Sequence, residues 1–121
     1  MNFGGIEPEY TRFDQATFVV VPVPYDLTST YQSGSRMGPA AILDASAHME
    51  LYDEELRRET YLAGIHTLPS LEADARGPRE MMETVRRQIF EVVSAGKIPV
   101  TLGGEHSISF GCVQAVQEVY P

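Results

Sequence analysis

The chain has 121 residues, of which 43% are hydrophobic and 21% charged, a composition typical of one small globular domain rather than a disordered segment. Its formal net charge of −8 argues against a nucleic-acid partner, because binding a phosphate backbone requires a basic surface. A single cysteine excludes an intrachain disulfide. With no long apolar run and no leader pattern, the sequence predicts a cytoplasmic protein with no membrane partner.

The amino-terminal third contains an aperiodic stretch, a strand and a long loop. The first dozen residues contain glycine and proline without periodicity and are expected to form a surface arm. Residues 17–21 form a continuous apolar run, typical of a strand buried on both faces, and Pro22 and Pro24 are expected to end it. The polar loop over residues 25–38 is long for a strand-to-helix connection, which favours a functional role.

A helix is predicted to begin at Gly38-Pro39 and to fade near Leu56. Its apolar stripe consists of Ala40, Leu43, Ala47 and Leu51. The acidic stretch over residues 50–59 is predicted to be the solvated end of this helix, with a subunit interface as the alternative.

The remaining elements continue the alternation of strands and helices. A short strand is predicted over residues 61–65, a helix from Gly77-Pro78 to about Gly96, a strand over residues 98–102 and a helix over residues 107–119. Strands alternating with helices indicate an α/β fold with a parallel sheet and right-handed crossovers.

The candidate site is the stretch over residues 102–107, Leu-Gly-Gly-Glu-His-Ser, at the carboxyl end of a predicted parallel strand. Open α/β sheets bind ligands at that edge, and His106 offers an imidazole for a metal. A tight turn with nothing bound and a phosphate cradle at the helix start remain alternatives. The nucleotide reading is weak because neither common glycine-rich nucleotide motif occurs.

The segment over residues 102–115 resembles the first signature of the ureohydrolases, the family of arginase, agmatinase and formiminoglutamase. Residues 21–26 and 34–42 resemble the first strand, active-site loop and first long helix of the same family. Glu105, in the Gly-Gly-Glu-His form, favours agmatinases within it. The resemblance spans the chain from about Phe18 onward.

The resemblance implies a fold and an activity. The fold is the N-terminal portion of a three-layer parallel-sheet arginase-like fold, with about three parallel strands and helices on both faces. Residues 1–121 would be an incomplete N-terminal part of a single ureohydrolase domain. The parent enzyme would use two Mn²⁺ ions and a bridging hydroxide to hydrolyse a small cationic guanidino substrate, with agmatine giving putrescine and urea. Family members also assemble as homo-oligomers, usually trimers or hexamers.

The resemblance also implies roles for individual residues. His106 would be a terminal ligand of one Mn²⁺ ion. Residues expected to support the metal loop are Gly103, Gly104, Glu105 and Ser107. Residues expected to line the mouth of the pocket are Gly34, Arg36 and Gly38, with Arg36 favoured as a structural loop residue over a substrate contact, because a cationic substrate repels a neighbouring arginine.

The other family ligands come from an Asp-Ala-His-x-Asp stretch and an Asp-x-Asp stretch, and neither occurs in this sequence. The chain begins with Met1 and resembles a native start with a truncated end, so the metal site is incomplete and the chain alone is expected to be inactive. The strand over residues 98–102 would then be an exposed edge, which predicts self-association. Alternative functions are a non-catalytic binding or interaction module, or a ureohydrolase for arginine or guanidinobutyrate.

Overall fold

The computed structural model describes residues 1–121 and contains one parallel sheet with helices on both of its faces. The strands in chain order are β1 (Phe18–Val23), β2 (Tyr52–Asp53), β3 (Arg58–Glu59), β4 (Ile65–Thr67) and β5 (Ile98–Gly103), and the α-helices are α1 (Gly38–Ser46), α2 (Pro78–Ser94) and α3 (Ser109–Val119). The parallel sheet has the order β4-β1-β5, while β2 and β3 form a separate antiparallel ribbon. The predicted α/β class with three parallel strands is confirmed.

The central strand β1 is covered on both faces, as its unbroken apolar sequence predicts. Its odd-numbered valines, Val19, Val21 and Val23, join one apolar cluster with α2. The residues that α2 contributes to this cluster are Met81, Val85, Ile89, Val92 and Val93. On the opposite face, Pro22 lies near Leu43 of α1. The strand therefore forms the centre of a three-layer arrangement of helix, sheet and helix.

The strand continues through Pro22, where the sequence predicted its end. The Pro22 carbonyl accepts a hydrogen bond from the backbone N–H of Leu71, 2.9 Å away, and so points to the β4 side of the sheet. The ladder with β4 stops at the pair Val20–Thr67. Because the N–H and C=O of one strand residue point to the same side, the donor that proline lacks would face a position where the ladder has already ended.

The first helix, α1, ends at Ser46, ten residues before the predicted boundary at Leu56. After Ser46 the chain turns through short-range backbone bonds such as His48 N–H to Ala45 C=O. The acidic stretch that was predicted to end the helix instead forms the β2–β3 ribbon. The Asp53 carboxylate accepts the N–H of Leu56 at 2.8 Å within the turn that joins β2 to β3.

The second strand of the sheet also lies later than predicted. Residues Thr60–Ala63 form a 3₁₀ turn, and β4 begins only at Ile65. Gly64 between them has a φ of 79°, a conformation that favours glycine, and its carbonyl accepts bonds from the N–H groups of Thr17 and Phe18. The turn therefore aligns β4 with the start of β1.

The amino-terminal arm is attached to the domain rather than free on its surface. The N–H of Phe3 donates to Thr67 Oγ1, and the N–H of Gly4 donates to Ser46 Oγ, both at 2.9 Å. Ile6 is buried. These contacts connect the arm to both β4 and the end of α1, an arrangement that the aperiodic sequence did not indicate.

Strand β5 forms one edge of the sheet. It pairs with β1 along its whole length and has no partner on its other side. Ile98 is 50% exposed and Val100 is 40% exposed, although both are β-formers in an apolar strand. None of the helices has the length and apolarity needed to cross a bilayer.

We expect the free edge of β5 to cause concentration-dependent self-association, because unpaired strand edges are templates for another chain. Val100→Lys should reduce this association, since a charge on an edge strand opposes pairing. Phe110→Lys, a matched change at an exposed position on α3, should not. Sedimentation velocity over a concentration series measures the effect, and a strictly monomeric wild-type chain would contradict it.

Candidate functional site

The candidate site is built where β1 and β5 end side by side, at the pair Val23–Gly103. Just beyond the strands, a Cβ atom on Gly104 would lie 2.0 Å from the carbonyl oxygen of Tyr25, so the two backbones approach more closely than any side chain allows. The N–H of Glu105 donates to that same carbonyl at 2.9 Å. This contact fixes the turn carrying His106 relative to the loop that follows β1.

The loop after β1 is organised by the buried carboxylate of Asp26, whose side chain is only 2% exposed. It accepts the N–H of Gly34 at 2.7 Å and that of Arg36 at 3.4 Å, and it pairs with the Arg36 guanidinium at 3.3 Å. The bond from Gly34 is the main cause that lowers the pKa of Asp26 below its ordinary value, against the opposing effect of burial. Asp26 thus draws the far end of the loop back onto its start.

Glu105 connects the first turn of this loop to the turn that carries His106. Its carboxylate accepts the N–H of Thr28 at 3.1 Å, the hydroxyl of Ser29 at 3.4 Å, and the hydroxyls of Thr28 and Ser107. Burial raises the pKa of Glu105, but these hydrogen bonds outweigh it and leave that pKa below its usual value. Glu105 is therefore an ionised group held by uncharged donors.

His106 begins the 3₁₀ turn His106–Ile108 and is exposed. It lines two adjoining cavities, one of about 430 Å³ and one of about 490 Å³. The first also contains Thr101 and the half-buried Cys112, and burial raises the pKa of the Cys112 thiol. The second lies under the loop after β1. His106 and Glu105 form the boundary between the two cavities.

The residues predicted to line the pocket are not among those that line the two cavities. The loop surface facing the 490 Å³ cavity is formed by Thr28, Ser29, Thr30, Tyr31, Gln32 and Ser35. Gly34 and Arg36 instead bond to Asp26, and Gly38 starts α1 against the carbonyl of Gly103. The predicted loop therefore borders the site, but through neighbours of the residues that were named.

The remaining predicted residues meet at the turn itself. Gly103 and Gly104 line the 430 Å³ cavity, Ser107 lines the 490 Å³ cavity, and Glu105 and His106 line both. No group of three or more His, Cys, Asp or Glu side chains is placed to hold a metal ion. The residues of this chain therefore do not form a complete metal site by themselves. A further cavity of about 780 Å³, between α2 and α3, is lined by no histidine or cysteine.

The sequence alone did not identify Asp26, Thr28 and Ser29 as organisers of the site. Their contacts join residues that are distant along the chain, such as Thr28 with Glu105, and no local periodicity reports such a pair. The available signal was compositional: an aspartate directly after a buried strand, followed by a loop rich in serine and threonine.

The chain is similar in sequence and in structure to known proteins of one family. The arginase family model matches residues 16–121. The N(1)-aminopropylagmatine ureohydrolase of Synechocystis sp. is 39% identical over 112 residues, covering 88% of this chain and 37% of that protein. The crystal structure of the agmatine ureohydrolase of Thermoplasma volcanium matches with a TM-score of 0.79 and 36% identity, covering 87% of this chain and 36% of that one.

A more distant structural relative is Trypanosoma cruzi formiminoglutamase with Mn²⁺, at a TM-score of 0.81 and 22% identity, which bears on the fold alone. The match covers 91% of this chain and 38% of that protein. The chain thus spans somewhat more than a third of the length of the proteins it resembles. Over that span the arginase-like fold expected from the sequence is confirmed.

We expect Gly104→Ala to destabilise the chain by about 2 kcal/mol or more, because the new Cβ would collide with the Tyr25 carbonyl and separate the two strand ends. Gly96→Ala is the control: that glycine has a φ of 72° and open space around it, so only the backbone penalty of about 1 kcal/mol applies. Urea unfolding measures both. Equal effects would show that the close approach is not a constraint.

We expect Asp26 to stabilise the fold in a pH-dependent way. Because its folded-state pKa is lowered, its contribution is present above the unfolded pKa and is lost as pH falls through the folded pKa. Asp26→Asn should therefore lower the unfolding temperature strongly at about pH 7, and progressively less as the pH falls below about 4, the unfolded-state pKa of aspartate. Asp44→Asn, at an exposed position of α1, should have little effect at any of these pH values. A pH-independent gap for Asp26→Asn would contradict this.

Proposed function

The chain belongs to the arginase family, and from that premise we propose that residues 1–121 are part of a single ureohydrolase domain whose whole protein hydrolyses a guanidino compound. The products are urea and an amine. The observation that carries the proposal is the position of His106, exposed at the carboxyl end of β5 between two cavities. That edge of a parallel sheet is where such folds bind their ligands.

The substrate we propose is an agmatine-type amine. Agmatine is the first candidate, because the Gly-Gly-Glu-His motif resembles that of agmatinases. The similarity to the agmatine ureohydrolase of Thermoplasma volcanium, at 36% identity, supports the same substrate. A second candidate is N(1)-aminopropylagmatine, supported by the name of the Synechocystis relative at 39% identity. The negative charge of the chain suits either cation, whereas arginine and guanidinobutyrate carry a carboxylate as well.

We propose Mn²⁺ as the cofactor of the whole protein, with His106 as one of its ligands. Imidazole is a suitable ligand for such a metal, and membership of the arginase family supports Mn²⁺. When bound, a metal pair of this kind supplies a hydroxide at neutral pH. Glu105 orients the turn that presents His106, through its bonds to Ser107 and Thr28.

The first test is the intact mass of the polypeptide from its native source. A mass well above 13.4 kDa supports a larger ureohydrolase, and the next assay is Mn²⁺-dependent urea release from agmatine, N(1)-aminopropylagmatine, arginine and guanidinobutyrate. A mass near 13.4 kDa supports the rival function, a non-catalytic binding or interaction module.

In the whole protein, we expect His106→Asn to reduce urea release by at least about 100-fold, because the substitution removes a proposed metal ligand. His48→Asn, at an exposed position of the chain just after α1, should change it by less than about twofold. Bound manganese, measured by elemental analysis, should fall only in the first variant. Full activity in His106→Asn would remove His106 from the site.

A further inference from the structure

The loop after β1 has a fixed stem and a free tip. Near its start, the N–H of Ser29 donates to the backbone carbonyl of Asp26 at 3.2 Å. Near its end, the N–H of Gly34 donates to the buried Asp26 carboxylate at 2.7 Å. Residues 30–33 lie between these bonds and make no hydrogen bond of their own. The stem therefore holds a short tip beside the 490 Å³ cavity.

Tyr31, in this tip, is an aromatic residue that the fold does not use. It is 91% exposed, the highest value among the exposed large hydrophobic residues of the chain. Some other rings pack against an aromatic partner, as Tyr10 does with Tyr61, but Tyr31 has no such partner. It is also the only Phe or Tyr that lines either cavity beside His106. An exposed ring at the wall of a cavity is placed to contact a ligand rather than to stabilise the fold.

We propose that Tyr31 contacts the substrate, with its ring packed against the aliphatic chain between the guanidino group and the free amine. This assignment rests on the proposed function for its substrate. The guanidino group is the reacting end, so it points toward His106. Tyr31 lies at the exposed rim of the same cavity and therefore meets the part of the substrate that does not react. It is then a specificity residue for an unbranched aliphatic amine.

The chemistry of a tyrosine ring suits this part of the substrate. Methylene groups that lie against the ring are removed from water, which favours binding. The π face of the ring also attracts the cationic groups at the two ends of such a chain. Because Asp26 already orders the stem, only the tip residues lose freedom when the ligand binds, which limits the entropic cost.

The first test measures urea release from agmatine by the whole protein. Tyr31→Ala should raise KM by about tenfold and change kcat by less than about twofold, because the ring binds a part of the substrate that does not change during the reaction. Tyr31→Phe should stay within about twofold of the wild type in both constants, since the ring and not the hydroxyl makes the contact. Tyr52→Ala, at an exposed position of the β2–β3 ribbon, is the matched control and should leave both constants unchanged. An unchanged KM in Tyr31→Ala, or a fall in kcat alone, would overturn the proposal.

A series of substrates separates ring packing from a general loosening of the loop. The series consists of guanidinoalkylamines of increasing chain length. In the wild type, each added methylene group should lower KM by about twofold to fourfold until the ring is covered. Tyr31→Ala should abolish this dependence on length. A loosened loop would instead raise KM by the same factor for every length, and that result contradicts the proposal.

The contact can also be followed without catalysis. Tyrosine ring NMR signals of the whole protein, free of metal, are recorded while agmatine is added at about 150 mM salt, where attraction to distant surface charges is screened. The Tyr31 signal, assigned by its absence from Tyr31→Phe, should shift saturably, and the Tyr52 signal should not. No shift of the Tyr31 signal would overturn the proposal. A Tyr31 shift without urea release would reject the proposed function alone, whereas urea release that Tyr31→Ala leaves unchanged would reject only the contact.

Discussion

The site depends on one steric constraint, the contact between the backbones that leave β1 and β5. The Tyr25 carbonyl occupies the space that a side chain at residue 104 would need, and in that position it accepts the N–H of Glu105. A larger residue at 104 would force the strand ends apart. The loop after β1 and the turn carrying His106 would then move apart, and the bonds of Glu105 to Thr28 and Ser29 span that same gap.

Two carboxylates hold the loop after β1 in place around that contact, and they do so differently. Asp26 is buried and paired with Arg36, so its negative charge is compensated within the loop. Glu105 bonds only uncharged donors and lies at the border of both cavities. The electrostatic character of the candidate site therefore comes from one residue, although the chain as a whole carries a net charge of −8.

The sequence predicted the parts of the fold that depend on local pattern. The valine run of β1, the apolar face of α2 and the glycine pair before His106 each carry a local signal, and each lies where it was expected. The predicted end of α1 was wrong: the helix ends at Ser46, whose hydroxyl accepts the N–H of Gly4 in the amino-terminal arm, and such a distant contact leaves no local signal. The organising roles of Asp26 and Glu105 required the tertiary structure, since their partners are fixed only when the strands pair.

The central position of β1 has a kinetic consequence. Its neighbours are the second and third strands of the sheet to be synthesised, so Phe18 waits for Ile65 and then for Ile98 before both of its edges are covered. Parallel pairing across such separations requires closing long loops, which slows folding. On a ribosome, the most apolar strand of the chain emerges early and keeps at least one edge unpaired until the β5 segment has left the exit tunnel. Over that interval it is the segment most exposed to chaperones and to aggregation.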